Sequence, residues 1–185
     1  MKDTFTLSLK EVLGSLADHN RILVAGIEYE DLASFPGIST SVFLQGCNIR
    51  CKGCFNSDVW GTDGGVEWNA SDLYNAITES PIVKQIVWLG GEPTLQARNI
   101  LPVVRKLKDN EYTQVLFTGH RLEVFKRLMI QDGALGEAVR CMNYVKVGPY
   151  IERLYDFTLK YRGSSNQEFY KVENDNLFKI DVMTL

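Results

Sequence analysis

Cys47, Cys51 and Cys54 lie in the segment Gly46-Cys47-Asn48-Ile49-Arg50-Cys51-Lys52-Gly53-Cys54-Phe55-Asn56, with the spacing C-x3-C-x2-C. Thiols this close in sequence share one loop, a pattern that points to disulfides in a secreted chain and to metal binding in a reducing compartment. Disulfides belong to secreted chains. The first residues, MKDTFTLSLKEVLGSLADHN, are acidic early and hold no continuous apolar stretch, unlike a secretory signal. No apolar run approaches the ~20 residues that span a bilayer. The expectation is therefore a cytoplasmic protein with no membrane partner, whose clustered thiols bind metal.

Thiolates are soft ligands that suit iron–sulfur clusters or zinc. A structural zinc site takes four protein ligands, and the loop supplies three. Two readings follow. In one, a [4Fe–4S] cluster keeps one iron free of protein thiolate, open to a small chelating ligand. In the other, His120, His19 or Cys141 completes a zinc site in a non-enzymatic interaction module.

Around the loop the chain alternates. Leu9, Val12, Leu13, Leu16 and Ala17 have helical spacing, which predicts an amphipathic helix within an N-terminal extension, residues 1–20. Ile22–Ile27 and Ser41–Gln45 read as buried strands, and the cysteine loop follows the second directly. Asn69 or Ser71 caps a helix running to about Glu79. Gln85–Leu89 is a strand ending in Gly90-Gly91-Glu92-Pro93. Ile100, Val103, Val104 and Leu107 mark a helical stripe. Gln114–Thr118 is a strand, Leu122, Phe125, Leu128 and Met129 form another stripe, and Tyr144–Val147 closes the alternation.

This repetition predicts an α/β fold with mostly parallel strands over residues 21–185, as a single domain. The 185 residues fall short of the ~250 of a full eight-stranded barrel. A partial, open (β/α) barrel fits better. Ligands of parallel sheets gather beyond the carboxyl ends of the strands, so the cysteine loop and Gly90–Pro93 should face one cavity. The formal net charge of −3 provides no basic field for nucleic acid.

With Cys54 followed by Phe55-Asn56, and with a later strand ending in Gly90-Gly91-Glu92-Pro93, the chain resembles radical S-adenosylmethionine (SAM) enzymes. Within that superfamily it resembles the glycyl-radical activating proteins of anaerobic ribonucleoside-triphosphate reductases. The small size, Asp58-Val59-Trp60 after the cysteine loop, Thr118-Gly119, and Tyr161-Arg162-Gly163-Ser164-Ser165-Asn166-Gln167 carry that likeness, over about Gly26 to Gln167. Two stretches depart from it. Ser34-Phe35-Pro36-Gly37-Ile38-Ser39 replaces Asp-Gly-Pro-Gly-x-Arg, and Val147-Gly148-Pro149-Tyr150 stands where relatives carry Asp-Gly.

The resemblance implies that Cys47, Cys51 and Cys54 hold a [4Fe–4S] cluster whose free iron is chelated by SAM. Gly53, Cys54, Phe55, Asn56, Gly90, Gly91, Glu92 and Thr118 are the implied SAM contacts. Phe55 would lean on the adenine, and the backbone and carboxylate of Gly90–Glu92 would receive the amino group. Arg162 and Asn166 are candidates for partner or cofactor contact, or else polar turn residues. The implied activity is reductive cleavage of SAM to methionine and a 5′-deoxyadenosyl radical, which takes hydrogen from a glycine Cα of the reductase. An electron donor such as a flavodoxin-type protein would feed the cluster. A different small radical SAM enzyme, of the 7-carboxy-7-deazaguanine synthase type, is the alternative within the superfamily.

The remaining residues are assigned by packing. Cys141 reads as a small buried hydrophobe, His120 as a cavity or loop residue, and Trp60, Trp68 and Trp88 as packing or functional residues. Reconstituted protein is expected to carry about four irons with matching sulfide. Elemental analysis that finds zinc instead overturns the cluster.

Overall fold

The computed structural model describes residues 21–173 and 175–185; the expected helix over 9–17, like the whole 1–20 extension with His19, lies outside the described residues. The described strands are β1 Ile22–Asp31, β2 Ser39–Leu44, β3 Val66–Trp68, β4 Gln85–Gly90, β5 Thr113–Thr118, β6 Tyr144–Val147, β7 Glu168–Glu173 and β8 Asn176–Ile180. They form one sheet in the order β3-β1-β2-β4-β5-β6-β7-β8. The central strands β2, β4, β5 and β6 pair in parallel. The flanks are antiparallel, with β3 and β1 on one side and β7 and β8 on the other. The alternating pattern in the sequence accounts for the parallel centre. At the flanks, the links from β1 to β2 and from β7 to β8 are too short for a crossover helix, so those neighbours run antiparallel.

The helices are α1 Ala70–Ile77, α2 Ala97–Asp109, α3 Leu122–Gln131 and α4 Gly133–Arg140. Since β2, β4, β5 and β6 lie side by side in the sheet in the same order as along the chain, right-handed crossovers return every helix to one face of the sheet. Leu44, Trp88 and Leu116 meet Ile100, Val104 and other helix residues there in the larger core. On the opposite face Phe35, Val87, Val115, Phe169 and Val182 form a smaller core. The helix starts are local chemistry. Asn69 accepts from the Asp72 N–H at 2.9 Å to cap α1, and Asp132 accepts from Ala134 and Leu135 to cap α4. Among the described residues no helix is long and apolar enough to cross a membrane.

Gln96, fully buried just before α2, ties the sheet to the loop region. Its side-chain oxygen accepts from Leu23 N–H at 2.8 Å. Its amide donates to the carbonyls of Leu23 at 2.8 Å and Gln45 at 2.9 Å. It thus satisfies backbone groups beside the irregularity in β1 between Val24 and Gly26. Gln96→Leu keeps the volume and removes these bonds, and is expected to cost about 1–3 kcal/mol. Urea unfolding measures it, and an unchanged midpoint would exclude this role.

Candidate functional site

β2 and β4 are parallel neighbours, with Leu44 opposite Gly90 at their ends. The loops that follow therefore leave the sheet side by side. Two further backbone bonds continue the ladder past the strands: Gly91 N–H to the Leu44 carbonyl and Glu92 N–H to the Gly46 carbonyl, each 2.8 Å. Gly90 has φ +107°, and a Cβ there would stand 2.6 Å from the Leu44 nitrogen. A Cβ on Gly91 would sit on the Gly46 carbonyl oxygen. Backbone approach this close demands glycine at both positions. The cysteine loop is closed on its other side by Gly46 N–H to Val59 O at 2.8 Å and Cys47 N–H to Trp60 O at 3.0 Å.

Glu92 is 1% exposed, and its carboxylate is largely engaged within the chain. Oε1 accepts from Thr94 N–H at 3.2 Å, Thr94 Oγ1 at 2.8 Å and Thr118 Oγ1 at 2.9 Å. Oε2 accepts from Gly119 N–H at 2.8 Å. A carboxylate offers about four acceptor sites, so Oε2 retains one. Glu92 thus binds the end of β4 to the end of β5. Thr118, which also accepts from His120 N–H at 3.1 Å, holds Glu92 in place.

Cys47, Cys51 and Cys54 are free and half-buried. Burial pushes the Cys47 thiol up, against backbone N–H donors at Arg50 and Ile49 and with the Glu92 charge adding to the rise. Burial also pushes Cys51 up, against a backbone donor at Tyr150. The Sγ of Cys54 accepts from Asn56 N–H at 3.4 Å. N–H groups aimed at sulfur favour thiolate ligands and stabilise the negative charge of an iron–sulfur centre.

One cavity of about 190 Å³ gathers these parts: Cys47, Cys51, Cys54, Phe55, Asn56, Gly90, Gly91, Glu92 and Thr118 all line it. Gly53 is not among the lining residues; it sits at φ +73°, against the Glu152 side chain. Phe55 is exposed at the mouth, its ring 5.1 Å from Tyr150 and 5.7 Å from Tyr155. Arg162 and Asn166 do not line the cavity: Arg162 donates to the Gln167 carbonyl at 3.2 Å, and Asn166 to the Pro149 carbonyl at 2.8 Å. Both act as braces of the segment after β6. Gly163 and Gln167 of the same stretch do line the cavity.

Several lining residues went unnoticed in the sequence as site residues, among them Leu89, Phe117, Lys146 and Tyr150. Lys146 left one signal, a single charge inside the apolar strand Tyr144–Val147.

The donor set suits a cluster with an open iron. Three thiols share one wall of the cavity, and Cys141 is buried at the end of α4 among core residues. Among the described residues no three His, Cys, Asp or Glu side chains converge as a single ion requires. A cubane spreads its ligands over separate irons, so its thiols stand farther apart. Among the described residues, the indole nitrogen of Trp60, which lines the cavity, is buried with no hydrogen-bond partner, as a group that meets a bound molecule would be.

The family model described as a 4Fe-4S single cluster domain matches residues 34–170, and the chain belongs to that family. It is a radical SAM enzyme whose cofactors are a [4Fe–4S] cluster and SAM. Among its relatives, the anaerobic ribonucleoside-triphosphate reductase-activating protein of Haemophilus influenzae is 28% identical over 148 residues, 74% of this chain and 90% of that protein. The protein of the same name from Escherichia coli (strain K12) is 26% identical over 146 residues, again 74% and 90%. The pyruvate formate-lyase-activating enzyme of Clostridium pasteurianum is 33% identical over 91 residues, 46% of this chain and 38% of that enzyme. A crystal structure of QueE from Escherichia coli matches with a TM-score of 0.45 and 18% identity, over 59% of this chain and 56% of that one.

Glu92→Gln replaces an accepting oxygen by an NH2 group and leaves at least one of the Thr94, Thr118 or Gly119 donors unmatched. The expected cost is about 1–3 kcal/mol with weaker SAM binding, read by urea unfolding and equilibrium dialysis. Full stability in that variant would contradict the bracing role.

Proposed function

We propose that this chain forms a glycyl radical on an anaerobic ribonucleoside-triphosphate reductase, with Cys47, Cys51 and Cys54 as the cluster ligands. The observation that carries this reading is the meeting of the three thiols with Gly90, Gly91 and Glu92 in one cavity, without a fourth cysteine beside them. Relatives of that named activity, aligned over most of both chains, support the choice of protein substrate.

When bound, the cluster and SAM supply reductive cleavage of a carbon–sulfur bond and, through it, hydrogen abstraction from a glycine Cα. The chain's own residues hold, orient and shield. The remaining acceptor of Glu92 Oε2 and the exposed backbone of Gly90–Gly91 suit an ammonium. Phe55 and Asn56, on the outer limb of the cysteine loop, suit the adenosine end. Leu89, Phe117 and Trp60 make the remaining wall apolar, which keeps water from a reactive species. In this reading residues 21–185 act as one radical SAM domain, the parallel strands are the staves of a partial barrel, and a flavodoxin-type protein is the reductant.

Incubated anaerobically with reductant, SAM and the reductase, the reconstituted protein should yield a glycyl radical by electron paramagnetic resonance. Release of 5′-deoxyadenosine without that signal would reject the reductase as substrate and keep the chemistry. Cys51→Ala should lose the cluster and at least 100-fold in SAM cleavage, in line with loss of a metal ligand, while circular dichroism stays near wild type. Cleavage at the wild-type rate in that variant would refute the ligand assignment.

A further inference from the structure

Leu89, Phe117 and Lys146 are the penultimate residues of β4, β5 and β6, and all three line the cavity. They lie within the strands, whereas the cysteines, Gly91, Glu92 and Gly119 lie beyond the strand ends. The first three therefore make the floor of the cavity and the others its rim. Two members of the floor are apolar, as a site for radical chemistry requires. The third is an amine.

Lys146 is 9% exposed, and among the described residues no carboxylate forms an ion pair with it. Its Nζ lies 3.5 Å from the centre of the Phe117 ring and donates to the Tyr161 carbonyl at a long 3.4 Å. Among the described residues the one charge that acts on it is the like charge of Arg162, and burial, with that repulsion, brings its ammonium down to about 7. A buried ammonium with one weak acceptor is costly to keep, and an acceptor brought by a bound molecule would stabilise it.

SAM is the first candidate, yet both its ends have places on the rim. The methionine end belongs with the thiols and Gly90–Glu92, and the adenosine end with Phe55 and Asn56. Lys146 Nζ lies over the Phe117 ring and reaches the Tyr161 carbonyl, on the floor rather than among the rim groups. What remains for the floor is the second reactant. A glycine-bearing segment that delivers its Cα beneath SAM must bring backbone carbonyls into this apolar space with it. Gly148 and Gly163 also line the cavity and present backbone, not side chain, to it.

We propose that Lys146 is a positioning residue for the protein substrate, donating from Nζ to a backbone carbonyl of the segment that carries the target glycine. This rests on the glycyl-radical reading above. Lys146 holds the segment by its main chain, while the chemistry stays with the cofactors.

The test uses full-length reconstituted enzyme with Lys146→Met, which keeps the length and loses the donor, and Lys146→Arg, which keeps a donor. Three quantities are measured: SAM affinity by equilibrium dialysis, 5′-deoxyadenosine release without reductase, and the rate of glycyl radical formation against reductase concentration. For Lys146→Met, the first two should stay within twofold of wild type. The apparent KM for the reductase should rise about tenfold, the loss expected for one charge-assisted hydrogen bond. Lys146→Arg should recover at least part of it. A fall in SAM affinity with unchanged KM would make Lys146 part of the SAM site and overturn the proposal. An unchanged rate at every reductase concentration would also overturn it. Should wild type cleave SAM yet leave the reductase unmodified, the glycyl-radical reading fails first, and that outcome is recognised before any variant is compared.

Discussion

The site depends on two backbone hydrogen bonds made past the end of β4, Gly91 N–H to Leu44 O and Glu92 N–H to Gly46 O. They fasten the loop bearing the thiols to the loop bearing Glu92. The fastening exists because neither Gly90 nor Gly91 has a side chain to keep the backbones apart. Any residue with a Cβ would force the loops apart and carry the thiols away from the carboxylate. A rigid parallel pair, Leu44 beside Gly90, thus extends its order into the loops, where chemistry is otherwise hard to hold in place.

Two buried ionisable side chains line the same cavity in opposite states. Glu92 has four donors within the chain and functions as masonry, joining the ends of β4 and β5. Lys146 has an aromatic face and one long hydrogen bond. The first has its acceptors largely engaged within the chain, which offsets much of the cost of its burial. The second keeps an unmet need, which is the physical mark of a group that meets something from outside the chain.

Sheet topology explains why these groups share one cavity. With β2, β4, β5 and β6 side by side in the order in which the chain lays them down, the crossover helices crowd onto one face and leave the other to a smaller core. That smaller core stops below Leu89, Phe117 and Lys146, and the cavity opens above it. The antiparallel flanks, β3 with β1 and β7 with β8, widen the sheet without covering that opening. The Tyr161–Gln167 segment returns over it, with Gln167 accepting from Gly163 N–H at 2.8 Å and donating to the Gly148 carbonyl at 3.1 Å.

Local patterning was enough to read the parallel strands, the helix stripes and the Asn69 cap, because each follows from a period or a neighbour a few residues away. The C-x3-C-x2-C spacing and Gly90–Pro93 were legible for the same reason: the chemistry they carry is written in contiguous residues. β3 and the β7–β8 hairpin were missed, since sequences such as Glu-Phe-Tyr-Lys-Val-Glu become strands by pairing with β6 rather than by their own alternation. The bracing of Glu92 by Thr118 and Gly119, the turning of Arg162 and Asn166 to backbone carbonyls, and the place of Lys146 on the cavity floor were decided only by the tertiary structure. Each depends on which strand ends lie side by side, and that order is set by crossover handedness and by the packing of helices on a single face, over separations no local window spans.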